Sequence, residues 1–232
     1  MSNRDLIDER DRAEGLLDAQ RRAAELFAAV ESEQLIQPGM LDSEASDAVT
    51  QLAADRFGCE KHWHKRIVRS GPNTLEPYNI DPPDRTIDAD DIIFGDFGPV
   101  FDDWEGDFGR TWVLGNDPDK LRLRDDLPVV FDAGKRFFQD NAEITAEELF
   151  AEVVRLTRER GWEFGNIHCG HLVGEYPHEN FPSRTQALMM KGNTLPIRTL
   201  DPSGRIAHWI LEVHLVDREK QIGGFYEELL TL

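Results

Sequence analysis

Over residues 3–36 apolar side chains recur at helical spacing: Leu6, Leu16, Leu17, Leu26, Phe27 and Val30 stand among Arg and Glu, which predicts one or two long amphipathic helices. Gln37-Pro38-Gly39 ends that segment. A second helix is expected from about Ser43 to Arg56, with Ser43 as its cap and Gly58 as its stop. From Lys65 the pattern shortens to β-like runs over 66–69, 91–97 and 111–114, separated by the connectors Gly71-Pro72-Asn73 and Asp81-Pro82-Pro83. Helical spacing returns over about 119–139 and again over 144–160. The latter has Thr145 as its cap, Gly161 past its end, and Leu149, Phe150, Val153, Val154 and Leu156 as its stripe. Further β-like runs at 164–174, 195–200, 206–216 and 223–231 close the chain. Helices, strands, helices, strands in that order predict an α+β fold in two similar halves, with helices outside a curved antiparallel sheet.

Composition narrows the class. A chain of 232 residues, 40% hydrophobic, can build one sizeable core or at most two small ones. Acidic residues outnumber Lys and Arg by 45 to 26, and a net charge of −19 repels nucleic acid. No apolar run approaches the roughly 18 to 20 residues of a membrane span, and the charged start MSNRDLIDERDRAEG lacks the apolar core of a signal peptide. The expectation is a cytoplasmic protein with no membrane or nucleic-acid partner. Cys59 and Cys169 are too few for a disulfide framework, and reduced thiols are expected.

The informative residues are carboxylates inside strands. In Asp91-Ile92-Ile93-Phe94-Gly95-Asp96-Phe97, alternation places Asp96 on the face of Ile92 and Phe94. A buried carboxylate must be paired, hydrogen-bonded or bound to a metal. Asp107 follows eleven residues later, a spacing at which an antiparallel hairpin brings two carboxylates side by side. Gly170-His171-Leu172-Val173-Gly174-Glu175-Tyr176-Pro177-His178 is a Gly-framed, tightly turned segment that can bring both histidines towards one cavity. Residues 206–216 are apolar on both faces yet carry Glu212 in the middle, and Glu227-Glu228 interrupts the last apolar strand. About one position in five is acidic, so each piece alone says little. Together, two Asp, one His and two Glu on short β-segments make an oxygen-rich set with one nitrogen, suited to Mn²⁺, Fe²⁺, Co²⁺ or Zn²⁺. Four carboxylates overbalance one such ion and nearly neutralise two, which favours a dinuclear centre.

These residues resemble the metallopeptidase superfamily of methionine aminopeptidase, aminopeptidase P and prolidase, known as M24, which has the pita-bread fold. The resemblance runs from about residue 64 to the end. It rests on Ser70-Gly71-Pro72-Asn73, the Asp96/Asp107 pair with Arg110-Thr111 after it, Gly170-His171 with His178-Glu179, then Glu212 and Glu227. It implies two divalent ions, Mn favoured, with Asp96 chelating one, Asp107 and Glu227 bridging, and His171 and Glu212 holding the other. His178 would contact the substrate carbonyl. The implied domain spans 61–232, with residues 1–60 as a helical segment packed on it or extending it. Three departures stand out. Pro77-Tyr78 occupies the place of a family histidine, Val213 follows Glu212 where the family has Pro, and Leu172 replaces a glycine. The N-terminal domain typical of prolidases is not expected.

The implied activity is dinuclear-metal hydrolysis of an Xaa-Pro aminopeptidase or dipeptidase type, on a small peptide or amide. A metal-bridging water would attack the carbonyl, Glu212 would shuttle the proton and His178 would polarise the oxyanion, with Tyr78 as a donor in place of the missing imidazole. Two rivals are a pita-bread enzyme acting on another C–N bond of a small metabolite, and a non-catalytic binding module. A third reading, His62-Trp63-His64 as a cupin-type metal strand, lacks an acidic residue anywhere in 65–75. Arg110 is expected to pair structurally with the site carboxylates and Cys169 to pack in the core. Leu16, Leu17, Phe27 and Val30 need a partner surface, either a homodimer interface or the back of the sheet.

Overall fold

A computed structural model describes residues 3–178 and 181–232. Helices α1 (Asn3–Ser32) and α2 (Asp42–Phe57) open the chain. The strands β1 (Lys61–His62), β2 (Ile67–Ser70), β3 (Ile92–Phe97), β4 (Pro99–Phe101), β5 (Trp104–Glu105) and β6 (Phe108–Val113) follow. The second half repeats the order, with helices α3 (Pro118–Asp140) and α4 (Ala146–Glu159) and then strands. These are β7 (Glu163–Phe164), β8 (His168–Val173), β9 (Leu188–Met190), β10 (His208–Asp217) and β11 (Ile222–Leu229).

Local chemistry sets the helix ends. At α4 the Thr145 hydroxyl accepts from the Glu148 N–H while the Glu148 carboxylate accepts from the Thr145 N–H, and Gly161 at φ +82° lies just past the end. Gly58 at φ +66° ends α2 as expected. Ser43 does not cap it. The helix begins at Asp42, Glu44 accepts from the Leu41 N–H, and the Ser43 hydroxyl donates instead to Asp84 of the Pro-rich connector.

The main antiparallel sheet runs β2-β3-β6-β11-β10-β8-β9, with β7 also on β10, and a small sheet β1-β4-β5 stands beside it. The halves β2-β3-β6 and β11-β10-β8 meet where β6 lies against β11, with Gly109 opposite Glu227. Two expectations need correction. The run 164–174 is broken into β7 and β8, and 195–200 forms no strand. Pro196 has no N–H to give a ladder, and the segment makes only isolated bridges, Pro196 to Thr145 and Leu200 to Ile206.

Each half buries its helices on one face of the sheet. Leu26, Phe27, Val30 and Val49 pack with Ile93, Phe97 and Phe108. Leu123, Leu127, Leu149 and Val153 pack with Trp209, Leu211 and Val213, and Cys169 belongs to this second core. Leu16, Phe27 and Val30 are therefore buried within the chain itself, while Leu17 is 45% exposed. Among the described residues no helix is long and apolar enough to cross a membrane.

Candidate functional site

Strand alternation leaves the opposite face for chemistry. On β3, Ile93 and Phe97 face the helices, so Phe94 and Asp96 face away; on β10, Leu211 and Val213 face the helices, so Glu212 and His214 face away. A cavity of about 610 Å³ opens there. The structure brings Asp96, Asp107, His171, Glu212, Glu227, His178 and Tyr78 into its wall together. Asp107 immediately precedes β6, whose Phe108 pairs with Phe97, so the two aspartates do come together, with β4 and β5 looping out between them. Glu212 and Glu227 are direct cross-strand partners.

Two glycines make the close approach feasible. A Cβ on Gly109 would lie 2.4 Å from the Phe225 ring and 3.2 Å from the Glu227 Cβ. At Gly170, φ is +149° and a Cβ would lie 2.0 Å from the Ile210 carbonyl oxygen, so only glycine lets β8 press onto β10 beside His171.

Asp107 is the centre of the arrangement. Its Oδ2 lies 3.1 Å from His171 Nε2, which is also 3.5 Å from Glu227 Oε1. Its Oδ1 lies 3.1 Å from His64 Nε2, which is 3.6 Å from Asp96 Oδ1. Asp107 Oδ2 and Glu227 Oε2 are fully buried and take no hydrogen bond of ordinary geometry among the described residues. Glu212 stands slightly apart: its Oε1 accepts from the Asn166 amide and lies 2.9 Å from His168 Nδ1.

Burial pushes the Asp96 carboxyl up to about 7, with the like charges of Asp107 and Glu212 adding to it against the pull of His64. Burial and the Asp107 charge likewise hold Glu227 far above the usual carboxylate range. Burial opposes ionisation of Asp107 too, but the two imidazoles outweigh it and draw its carboxyl well down. Burial disfavours the charged form of His64, yet Asp107 and Asp96 outweigh it and push the ring up to about 9. His171 is raised for the same reason by Asp107 and Glu227. A site whose carboxylates repel one another, and which retains buried oxygens without a well-formed hydrogen bond, has the donor chemistry of a divalent-cation site. Among the described residues, two groups of side chains have ligand atoms mutually within 4.8 Å: His64, Asp96 and Asp107; and Asp107, His171 and Glu227.

Three cavity residues were not singled out from the sequence as part of this site. His64 was read only within His62-Trp63-His64, and the signal that could have placed it is its position three residues before β2. Glu105 is buried and holds His178, accepting from its Nδ1 at 2.5 Å and from the Gly174 N–H at 3.0 Å. A carboxylate two residues before Asp107 is invisible among so many acids. His168 backs Glu212 from the same strand as His171.

Other expectations change in detail. Tyr78 is 41% exposed, and its hydroxyl accepts from the Lys65 N–H while its ring stands edge-on to His64 at 5.7 Å. Arg110 pairs with Glu228 and lies between the Phe108 and Tyr226 rings, so it serves the neighbouring acid rather than the site carboxylates. Glu179 lies outside the described residues.

Comparison with known proteins gives a consistent picture. The sequence profile of metallopeptidase family M24 matches residues 14–219. The Xaa-Pro dipeptidase of Pyrococcus horikoshii is 28% identical over 156 residues, which is 66% of this chain and 42% of that protein. The Xaa-Pro dipeptidase of Pyrococcus furiosus is 29% identical over 156 residues, 66% of this chain and 43% of that protein. The chain thus matches less than half the length of these curated relatives. Among solved structures, a recombinant prolidase from Thermococcus sibiricus superposes with a TM-score of 0.74 at 19% identity, covering 95% of this chain and 56% of that one. The α+β pita-bread fold expected from the sequence is therefore the fold of this chain.

Proposed function

The chain belongs to metallopeptidase family M24, and from that premise we propose that its cavity is a hydrolytic site of the Xaa-Pro aminopeptidase or dipeptidase type, acting in the cytoplasm on a small peptide or amide. The observation that carries this reading is that two buried oxygens, Asp107 Oδ2 and Glu227 Oε2, take no well-formed hydrogen bond among the described residues and stand with four carboxylates in one cavity. Asp96, Asp107, His171, Glu212 and Glu227 would hold two divalent ions, Mn²⁺ favoured. Bound there, the ions would supply Lewis acidity and a water made acidic near neutral pH. Within the N-terminal segment, residues 3–60 would serve as a helical cover on the domain of 61–232.

The chain's own side chains supply the rest. Glu105 accepts from His178 Nδ1 and aims Nε2 into the cavity, where it donates to the oxygen of a substrate carbonyl when the ring carries a proton on both nitrogens. Glu212 Oε1 is occupied by Asn166, so Oε2 is the atom that carries a proton from the attacking water to the leaving amine. Trp63 packs edge-on against both His171 and His178, at 5.4 and 5.7 Å between ring centres. The aromatic wall that includes Tyr78 and Phe181 suits a compact apolar residue such as proline.

A panel of Xaa-Pro dipeptides and small amides, assayed after chelation and again after Mn²⁺ is restored, tests the reading. Metal-dependent dipeptide cleavage is expected. Turnover of a small amide alone would favour the second reading, a pita-bread enzyme for a non-peptide C–N bond, which the tyrosine at position 78 supports. Metal-independent turnover would refute both.

A further inference from the structure

His64 and His171 are set in the same way. Each ring has its Nδ1 on the carbonyl oxygen of the next residue, 2.6 Å for His64 on Lys65 and 2.8 Å for His171 on Leu172. A ring that donates from Nδ1 to a carbonyl directs Nε2 to the other side, where a cation can take the place of its proton, the usual preparation of an imidazole ligand. Each Nε2 then lies 3.1 Å from a different oxygen of Asp107, and next to one further carboxylate oxygen, Asp96 Oδ1 at 3.6 Å or Glu227 Oε1 at 3.5 Å.

The spacing is informative. Two ligand atoms about 2.1 Å from one ion, at about 90–109° to each other, are separated by about 3.0–3.4 Å. Both imidazoles stand close to that separation from their carboxylates, and the His64 side chain is only 8% exposed. A bridging Asp107 flanked by one imidazole on each oxygen gives two ligand groups of like composition, each with one nitrogen.

We propose that His64 is a further metal ligand: with Asp96 and Asp107 Oδ1 it holds one ion, opposite the ion held by His171, Glu212 and Asp107 Oδ2, with Glu227 as the second bridge. The inference rests on the two-ion reading above and deepens it. It also assigns the imidazole next to Tyr78. His64 arrives from the segment before β2, and Tyr78 packs against its ring without replacing it. A neutral imidazole adds a donor without disturbing the balance of four carboxylates against two dications.

Two measurements test it. In equilibrium dialysis with Mn²⁺, followed by elemental analysis, wild-type protein should take up two ions per chain. His64→Ala and His64→Gln should keep one at wild-type affinity while the other weakens by at least about 100-fold, the upper end of what losing even an outer-shell partner costs. Since either variant could misfold, long-range ¹H–¹⁵N spectra of wild-type protein loaded with Zn²⁺ give a second readout. The Nε2 resonances of His64 and His171 should both move to the metal-bound position. Two ions held at wild-type affinity by folded variants, or a protonated His64 Nε2 in the loaded protein, would overturn the assignment while leaving the two-ion reading intact. Wild-type protein that takes up no ion would overturn both.

Discussion

Replacing Glu105 by Gln is the sharpest probe of how His178 is positioned. The Glu105 carboxylate is 2% exposed and accepts from three donors: His178 Nδ1 at 2.5 Å, the Gly174 N–H at 3.0 Å and the His178 N–H at 3.3 Å. Oε2 takes two of them and Oε1 the third. A glutamine amide has one oxygen, so at best one backbone N–H faces an NH₂ group and loses its acceptor. An orphaned buried donor costs about 1–3 kcal/mol, which in a domain of this size lowers Tm by about 2–12 °C. The weakened hold on the imidazole should slow kcat on an Xaa-Pro dipeptide by about 10–100-fold. KM and Mn²⁺ content should stay near wild type, because Glu105 contacts neither ligand group. Stopped assays on Mn²⁺-loaded protein, with circular dichroism to confirm folding, give the comparison. A folded Glu105→Gln protein with wild-type kcat would refute the role given to this pair, and loss of metal would show that Glu105 belongs to the ion site itself.

Asp107→Ala should lose most bound metal, because its two oxygens face both ligand groups; full retention by elemental analysis would rule out bridging. His178→Ala should keep its metal and slow turnover by about 10²–10³-fold, the usual cost of one oxyanion donor; Tyr78→Phe should have a smaller effect if Tyr78 only packs against His64, and a comparable one if its O–H, which accepts from the Lys65 N–H and keeps its own proton to donate, replaces the missing imidazole. Gly170→Ala should cost at least about 2 kcal/mol through strain at φ +149° and collision with the Ile210 carbonyl, read as a Tm fall of about 4–8 °C.

Periodicity was sufficient for the long elements, because α1, α3, α4 and β10 each show an uninterrupted apolar pattern that tertiary packing reinforces. It failed where strands are two or three residues long. β1, β4, β5 and β9 have no room to show a period, and they exist because neighbouring backbone is available to pair. At the site, Asp96, His171, Glu212 and Glu227 were legible as acids and a histidine standing in otherwise apolar strands, and Asp107 as an acid just before one. Glu105 was hidden by the high density of acidic residues. His64 was hidden because its contacts, Asp96 and Asp107, are 32 and 43 residues away and only the sheet brings them to it. The burial that makes these residues matter is a property of the fold, and no local signal reports it.

This cavity is proposed as a dinuclear metal site that cleaves peptide-like bonds. Native mass spectrometry of the Mn²⁺-loaded chain, read together with Xaa-Pro dipeptide turnover across the same titration, tests it most directly. Saturation is expected at two ions per chain, with turnover appearing only as the ions bind. A chain that stays metal-free at millimolar Mn²⁺, or turnover that is complete before any ion is held, would contradict it.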